Sequence, residues 1–221
     1  MKSDIFYSLL SLFFLSIFLY VPLQSEGQNI LKNDEVSLFD GETLKGWNFL
    51  NSKHAEFWGV KDGVIYCGNG EDKIPVNLFL YTDKKYKNFE FRCLFRLTGN
   101  PQTGMINSGI QYRSIVEGDK MIGYQADIGD GYWGDLYDEH RRGELADAEV
   151  DVLNRILNKN GWNSYVIRCK GDLHELYING VKTCEYVEKD KSIPDEGVIA
   201  LQLHSGGKAV IEYRDIVIEE F

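Results

Sequence analysis

The chain has 221 residues, a formal charge of −10 and 13% aromatic side chains. An acidic body with few basic clusters argues against nucleic acid and anionic membrane surfaces as partners, and the length allows one domain or at most two. Nothing in the charge speaks against a neutral ligand, and the aromatic content suffices for both a core and sugar-stacking platforms.

In chain order, Lys2 stands ahead of an apolar run from Ile5 to Pro22, and a polar stretch from Gln24 to Gln28 follows. That layout predicts a signal peptide over residues 1–27; the competing reading is a retained membrane anchor. The expected outcome is an exported, periplasmic or extracellular protein with no stable membrane insertion after cleavage. Residues 28–221 are expected to form a single β-sandwich domain, because turn signals and short alternating runs recur to the end.

The clearest strand is Asn88 to Leu97, where Phe89, Phe91, Cys93, Phe95 and Leu97 face one way and Glu90, Arg92 and Arg96 the other. Residues 162–186 read as a three-stranded meander whose second turn is Asn179-Gly180, a strong hairpin signal. Glu144 to Asn158 breaks the β pattern: Leu145, Val152, Leu153 and Ile156 stand among good helix formers, which predicts one short helix on an edge of the sandwich. The cysteines Cys67, Cys93, Cys169 and Cys184 lack the close pairs of a zinc site. A Cys67–Cys93 disulfide and buried free thiols are both compatible with them.

Three alternating runs, Ser108–Arg113, Tyr124–Ile128 and Ile199–His204, each set apolar residues against polar ones. If they share one sheet, Gln111, Arg113, Gln125, Asp127, Gln202 and His204 project from its non-core face. Such a set suits hydrogen bonding to hydroxyls and carbonyls within a cleft. From Gly129 to Gly143 the chain is rich in glycine, aromatics and charge and reads as a long irregular loop of the kind that carries function. Tyr132, Trp133 and Tyr137 can stack on a sugar ring there, and Asp138, Glu139 and Arg142 can bind hydroxyls or an ion. Asp127, Asp130 and Asp135 do not have the spacing of a twelve-residue calcium loop. The stretch from Glu149 to Leu153 imitates a glucanase catalytic strand, but its third acidic position is Asn154 and it reads as helix, where alternate residues do not share a face.

The segments LFDGETLKGW (38–47), FWGVKDGVIYC (57–67), NFEFRCLFRL (88–97), NSGIQYR (107–113), GYQADIGDGYWGDLYDEHRRG (123–143), GWNSYVIRCKGDLHELYINGVKT (161–183) and GVIALQLHSGG (197–207), in this order, resemble the 3-keto-disaccharide hydrolase family. The resemblance covers nearly all of the chain after the leader. It implies a concanavalin A-like jelly-roll sandwich of two antiparallel sheets and cleavage of glycosides already oxidised to a ketone at C3. That ketone acidifies the C2 proton, so a base can remove it while the C1 substituent departs, after which water adds back. Matching that chemistry to the residues of the polar face and the following loop, the expected roles are His204 or Asp127 as base, Arg113 on the developing enolate, and Glu139 or Tyr137 protonating the leaving group. Gln111, Gln125, Gln202, Tyr132, Trp133, Asp138 and Arg142 would bind substrate, and a divalent metal is an alternative electrophile to Arg113. Members of the family often carry Glu at the position of Gln125 and Gln at that of Asp127, so the carboxylate here is moved two residues along one strand face. A sugar-binding module and an envelope scaffold are the competing readings.

Overall fold

The structure is a computed structural model and describes residues 34–221. The expected signal peptide and its boundary lie outside the described residues. In chain order the first strands are β1 (Glu35–Ser37), β2 (Trp47–Phe49), β3 (Trp58–Lys61), β4 (Val64–Cys67) and β5 (Leu78–Thr82). The middle of the chain forms β6 (Phe89–Asn100), β7 (Asn107–Glu117), β8 (Lys120–Gly129), β9 (Leu136–Glu139) and β10 (Gly143–Ala146). The helix α1 (Val150–Ile156) precedes β11 (Asn163–Lys170), β12 (Leu173–Ile178), β13 (Val181–Val187), β14 (Val198–Leu203) and β15 (Lys208–Glu220).

These strands make a jelly-roll sandwich of two antiparallel sheets, ordered β13-β12-β11-β6-β15-β4-β3, with β1 also on β15, and β10-β9-β8-β7-β14-β5-β2. The core lies between them. Phe89, Phe91, Cys93 and Phe95 of β6 point inward against Ile110, Tyr112, Ala126, Leu201 and Leu203 of the other sheet; each large side chain buried this way contributes about 1.5–3 kcal/mol. The meander forms as expected, and Asn179 and Gly180 both take positive φ, 50° and 79°, the backbone that a two-residue hairpin of matching twist requires. No helix among the described residues is long and apolar enough to cross a membrane.

Two expectations are corrected. The helix predicted over Glu144 to Asn158 is only Val150–Ile156, because Gly143–Ala146 pairs as β10 with β9. Strand pairing, with Asp135 accepting from the Ala148 backbone N–H at 2.8 Å, overrides the helix-forming composition there. The stretch from Gly129 to Gly143 is likewise not one irregular loop but a turn followed by β9 and the β9–β10 hairpin. All four cysteines are buried free thiols, and burial pushes those of Cys169 and Cys184 up to about 12.

The outer faces of the two sheets differ in kind. On the β6 sheet, cross-strand ion pairs cover the surface: Arg96 with Glu212 at 2.5 Å, Lys182 with Glu175 at 2.6 Å, and Arg168 with Glu90. On the β7 sheet the outer face carries neutral amides, a buried carboxyl and a separate apolar patch of Phe79, Met121, Val198 and Ala200.

Candidate active site

Strands β8, β7 and β14 are neighbours, so the three alternating runs share one sheet. Register sets Gly109 opposite both Asp127 and Gln202, Gln111 opposite Gln125, and Gln125 opposite Tyr137. Their side chains emerge together on the outer face. A cavity of about 230 Å³ opens there, lined by Met105, Asn107, Gln125, Asp127, Tyr132, Tyr137, Glu139 and His204. A second hollow of about 320 Å³, bordered by Asn51, Asn77, Asp119, Met121 and His140, shares His204 with the first.

Asp127 is buried to 5% exposure. Burial pushes its carboxyl up to about 8, with Asp135, Glu139 and Glu144 adding repulsion and a hydrogen bond from Gln125 opposing. It is therefore mostly protonated at neutral pH. Oδ1 accepts from Gln125 Nε2 at 2.6 Å, which leaves Oδ2 to carry the proton. His204 follows β14 directly, its backbone N–H donates to Asn107 O at 3.0 Å, and the residue lines the cavity. Its Nδ1 lies 2.8 Å from the Ser205 carbonyl oxygen. A carbonyl only accepts, so in the neutral ring Nδ1 carries the hydrogen and Nε2 keeps its lone pair. Burial first, then Glu139, Asp127, Glu144 and Tyr132, raise the Tyr137 phenol, which stays protonated.

Of the residues expected at the site, Gln125, Asp127, Tyr132, Tyr137, Glu139 and His204 line the cavity. Gln111 and Gln202 share the same face but are fully buried in its floor, and both polar atoms of the Gln202 side chain lack a hydrogen-bond partner.

Four residues are elsewhere. Arg113 sits in a β-bulge between Tyr112 and Ile115 at φ 47°. One extra residue reverses the alternation, and the Arg113 guanidinium is buried at an end of the sandwich, donating to Lys87 O at 2.5 and 2.9 Å and to Gly171 O at 2.8 Å. Asp138 is one residue out of phase with Tyr137 and Glu139, so it faces the interior. It accepts from Arg141 and Arg142 at 2.6 Å each, and Arg142 continues to Glu188 at 2.6 Å. Neither Asp138 nor Arg142 is available to a ligand in the cavity. Trp133 packs on Phe95 with ring centroids 6.2 Å apart and donates to Asp130; it borders a different hollow, against α1.

Asn107 and Met105 were missed. Extending the alternation of β7 two residues back from Gly109 finds Asn107, whereas Met105 precedes the strand and has no periodic signal. Among the described residues no three His, Cys, Asp or Glu side chains converge as a metal-ligand set. The aspartates Asp127, Asp130 and Asp135 likewise form no such group.

The sandwich resembles several solved structures. A candidate glycosyl hydrolase from Parabacteroides distasonis ATCC 8503 matches with TM-score 0.63 and 21% identity over 87% of this chain and 99% of that one. A carbohydrate-binding module from Bacillus subtilis gives 0.58 and 13% over 79% and 96%. The β-glucanase of Bacillus licheniformis gives 0.54 and 12% over 84% and 96%. At these identities the likeness is one of fold. No curated protein sequence matches the chain. The model of the 3-keto-alpha-glucoside-1,2-lyase-like domain matches residues 34–219, and the chain belongs to that family.

Proposed function

We propose that the cavity cleaves 3-keto-glycosides by elimination and hydration. The observation that carries this reading is the presence, in one cavity, of a histidine whose Nε2 has no protein partner and a buried carboxyl whose Oδ2 is likewise open, burial raising that carboxyl. His204 Nε2 removes the C2 proton, made acidic by the C3 ketone. Charge moves to the ketone oxygen, and the protonated Asp127 Oδ2 donates to it, in place of the role first expected of Arg113. A buried neutral carboxylic acid is a strong donor to an enolate. The C1–O bond then breaks, and Tyr137 or Glu139 gives a proton to the departing oxygen. Water then adds: its hydroxyl bonds to C1 while its other proton returns to Tyr137 or Glu139, and the protonated His204 gives a proton back to C2, which releases the 3-keto sugar and restores both residues. The hollow beyond His204, with Asn51, Asn77 and Asp119, offers room and hydrogen-bonding groups for the leaving group.

Export, with residues 1–27 removed and the protein in the periplasm or outside the cell, is part of the same proposal, and N-terminal sequencing of the mature protein tests it. The activity is tested by product analysis with a panel of 3-keto glucosides, unoxidised glucosides serving as controls, with and without EDTA. Turnover of the keto forms alone is expected. Affinity for unmodified glycan without any turnover would replace the reading with that of a sugar-binding module.

A further inference from the structure

We propose that Ser114, Gln111 and Gln125 form a one-way hydrogen-bond relay that holds the Asp127 carboxyl with Oδ2 turned into the cavity, Ser114 and Gln111 acting as positioning residues that never touch substrate. Ser114 Oγ donates to Gln111 Oε1 at 3.0 Å, Gln111 Nε2 to Gln125 Oε1 at 3.3 Å, and Gln125 Nε2 to Asp127 Oδ1 at 2.6 Å. The single hydroxyl proton at its head has two acceptors in reach, Gln111 Oε1 at 3.0 Å and the Tyr112 carbonyl oxygen at 3.2 Å, and the relay places it on Gln111, the shorter contact. A hydroxyl that donates to the Gln111 oxygen turns that residue's NH₂ toward Gln125, which in turn presents its own NH₂ to Asp127. All four side chains are buried, so solvent does not substitute for a broken link.

An independent observation supports the same row. Gly109 and Gly123 flank it, and neither adopts positive φ, so the backbone does not demand glycine at either place. Space does: a Cβ on Gly109 would lie 2.7 Å from the Gln125 side chain, and one on Gly123 would collide with Ser114. The bulge at Arg113 completes the arrangement. It brings Ser114, three residues after Gln111, onto the Gln111 face, where unbroken alternation would have placed it on the other.

The titratable groups facing Asp127 are Asp135 before β9, Tyr137 and Glu139 on β9, Glu144 on β10, Tyr132 and His204 at the cavity, Tyr165 on β11 and Cys184 on β13. None of these belongs to the relay, so its loss leaves their charges in place and isolates the Gln125 contact. The experiment is a side-chain ¹³C NMR titration of Asp-labelled protein, with Asp127→Asn identifying the signal. Ser114→Ala and Gln111→Met free the Gln125 amide to turn its oxygen toward Asp127, which favours the protonated carboxyl. The expected result is an upward movement of the Asp127 titration by about one pH unit in both variants and none in Ser114→Thr, which keeps the hydroxyl. Unchanged titration in Ser114→Ala overturns the proposal. That variant removes one oxygen and carries the test by itself if Gln111→Met does not fold.

The consequence for turnover rests on the proposed elimination: the alkaline limb of kcat/KM should move with the carboxyl. The titration needs no substrate, so an inactive protein with a moving Asp127 signal would refute the activity and retain the relay.

Discussion

Strands β7 and β8 carry two buried polar clusters that differ in how completely their hydrogen bonds are closed. At one end Arg113 donates to the carbonyls of Lys87 and Gly171 and lies 3.4 Å from His174 Nε2, while His174 Nδ1 meets the Tyr112 hydroxyl at 3.2 Å. Tyr124 donates to Glu188, which also holds Arg142; despite burial, those hydrogen bonds keep the Glu188 carboxyl down at about 2. In the cavity, by contrast, His204 Nε2 and Asp127 Oδ2 have no protein partner. A cluster whose donors and acceptors are matched internally serves the fold, and one that leaves them open is free to meet a ligand.

The comparison is broken most severely at Arg113. Arg113→Ala strips the Lys87 and Gly171 carbonyls of their donor and should cost about 3–5 kcal/mol by urea denaturation. Full stability with lost turnover would return Arg113 to the chemistry. His204→Ala should do the reverse, lowering turnover of a 3-keto glucoside by roughly a hundredfold or more while the unfolding free energy from urea denaturation changes by under about 0.5 kcal/mol.

Asp127→Asn sharpens the contrast through pH. Because the folded carboxyl is raised to about 8 from 3.8, the native state holds a proton that the unfolded chain has released. Stability is therefore lost as pH rises through that window. The asparagine variant should be the more stable protein above pH 8, by roughly 1–3 kcal/mol, though slower in turnover. His174 has the opposite sign and a smaller effect. Burial, then the Arg113 charge, hold its ring down to about 3 from 6.5, so its contribution is present above 6.5 and fades as pH falls toward 3. Replacing it with Phe should flatten the acid limb of a stability–pH curve by about 1–2 kcal/mol.

Much of the fold was legible because β6 to β8 and β11 to β14 alternate cleanly and end on strong turn residues. The shared polar face followed from the same alternation, and it correctly placed Gln125, Asp127 and His204. Arg113 was lost because a bulge adds a residue without any mark in the pattern of side-chain types. Asp138 was misplaced because Gly129 to Gly143 looked irregular, and residues without assigned strand phase have no assigned face. Trp133 shows a further limit: its composition suits stacking on sugar, but Phe95 already occupies the ring face. The split of Glu144 to Asn158 was equally hidden, since edge pairing with β9 competes with helix propensity only once the sheet exists.

The bulge in β7 also bears on how relatives are to be aligned with this chain. Up to Tyr112, a site position can be carried from one protein to another residue for residue. Past Arg113, a relative lacking the extra residue has its inward and outward positions exchanged, so an ungapped alignment would assign core residues to the cavity. A single-residue deletion at Arg113 is thus a larger evolutionary step than most substitutions nearby, because it would turn Ser114 away from Gln111 and re-aim the rest of the strand in one event.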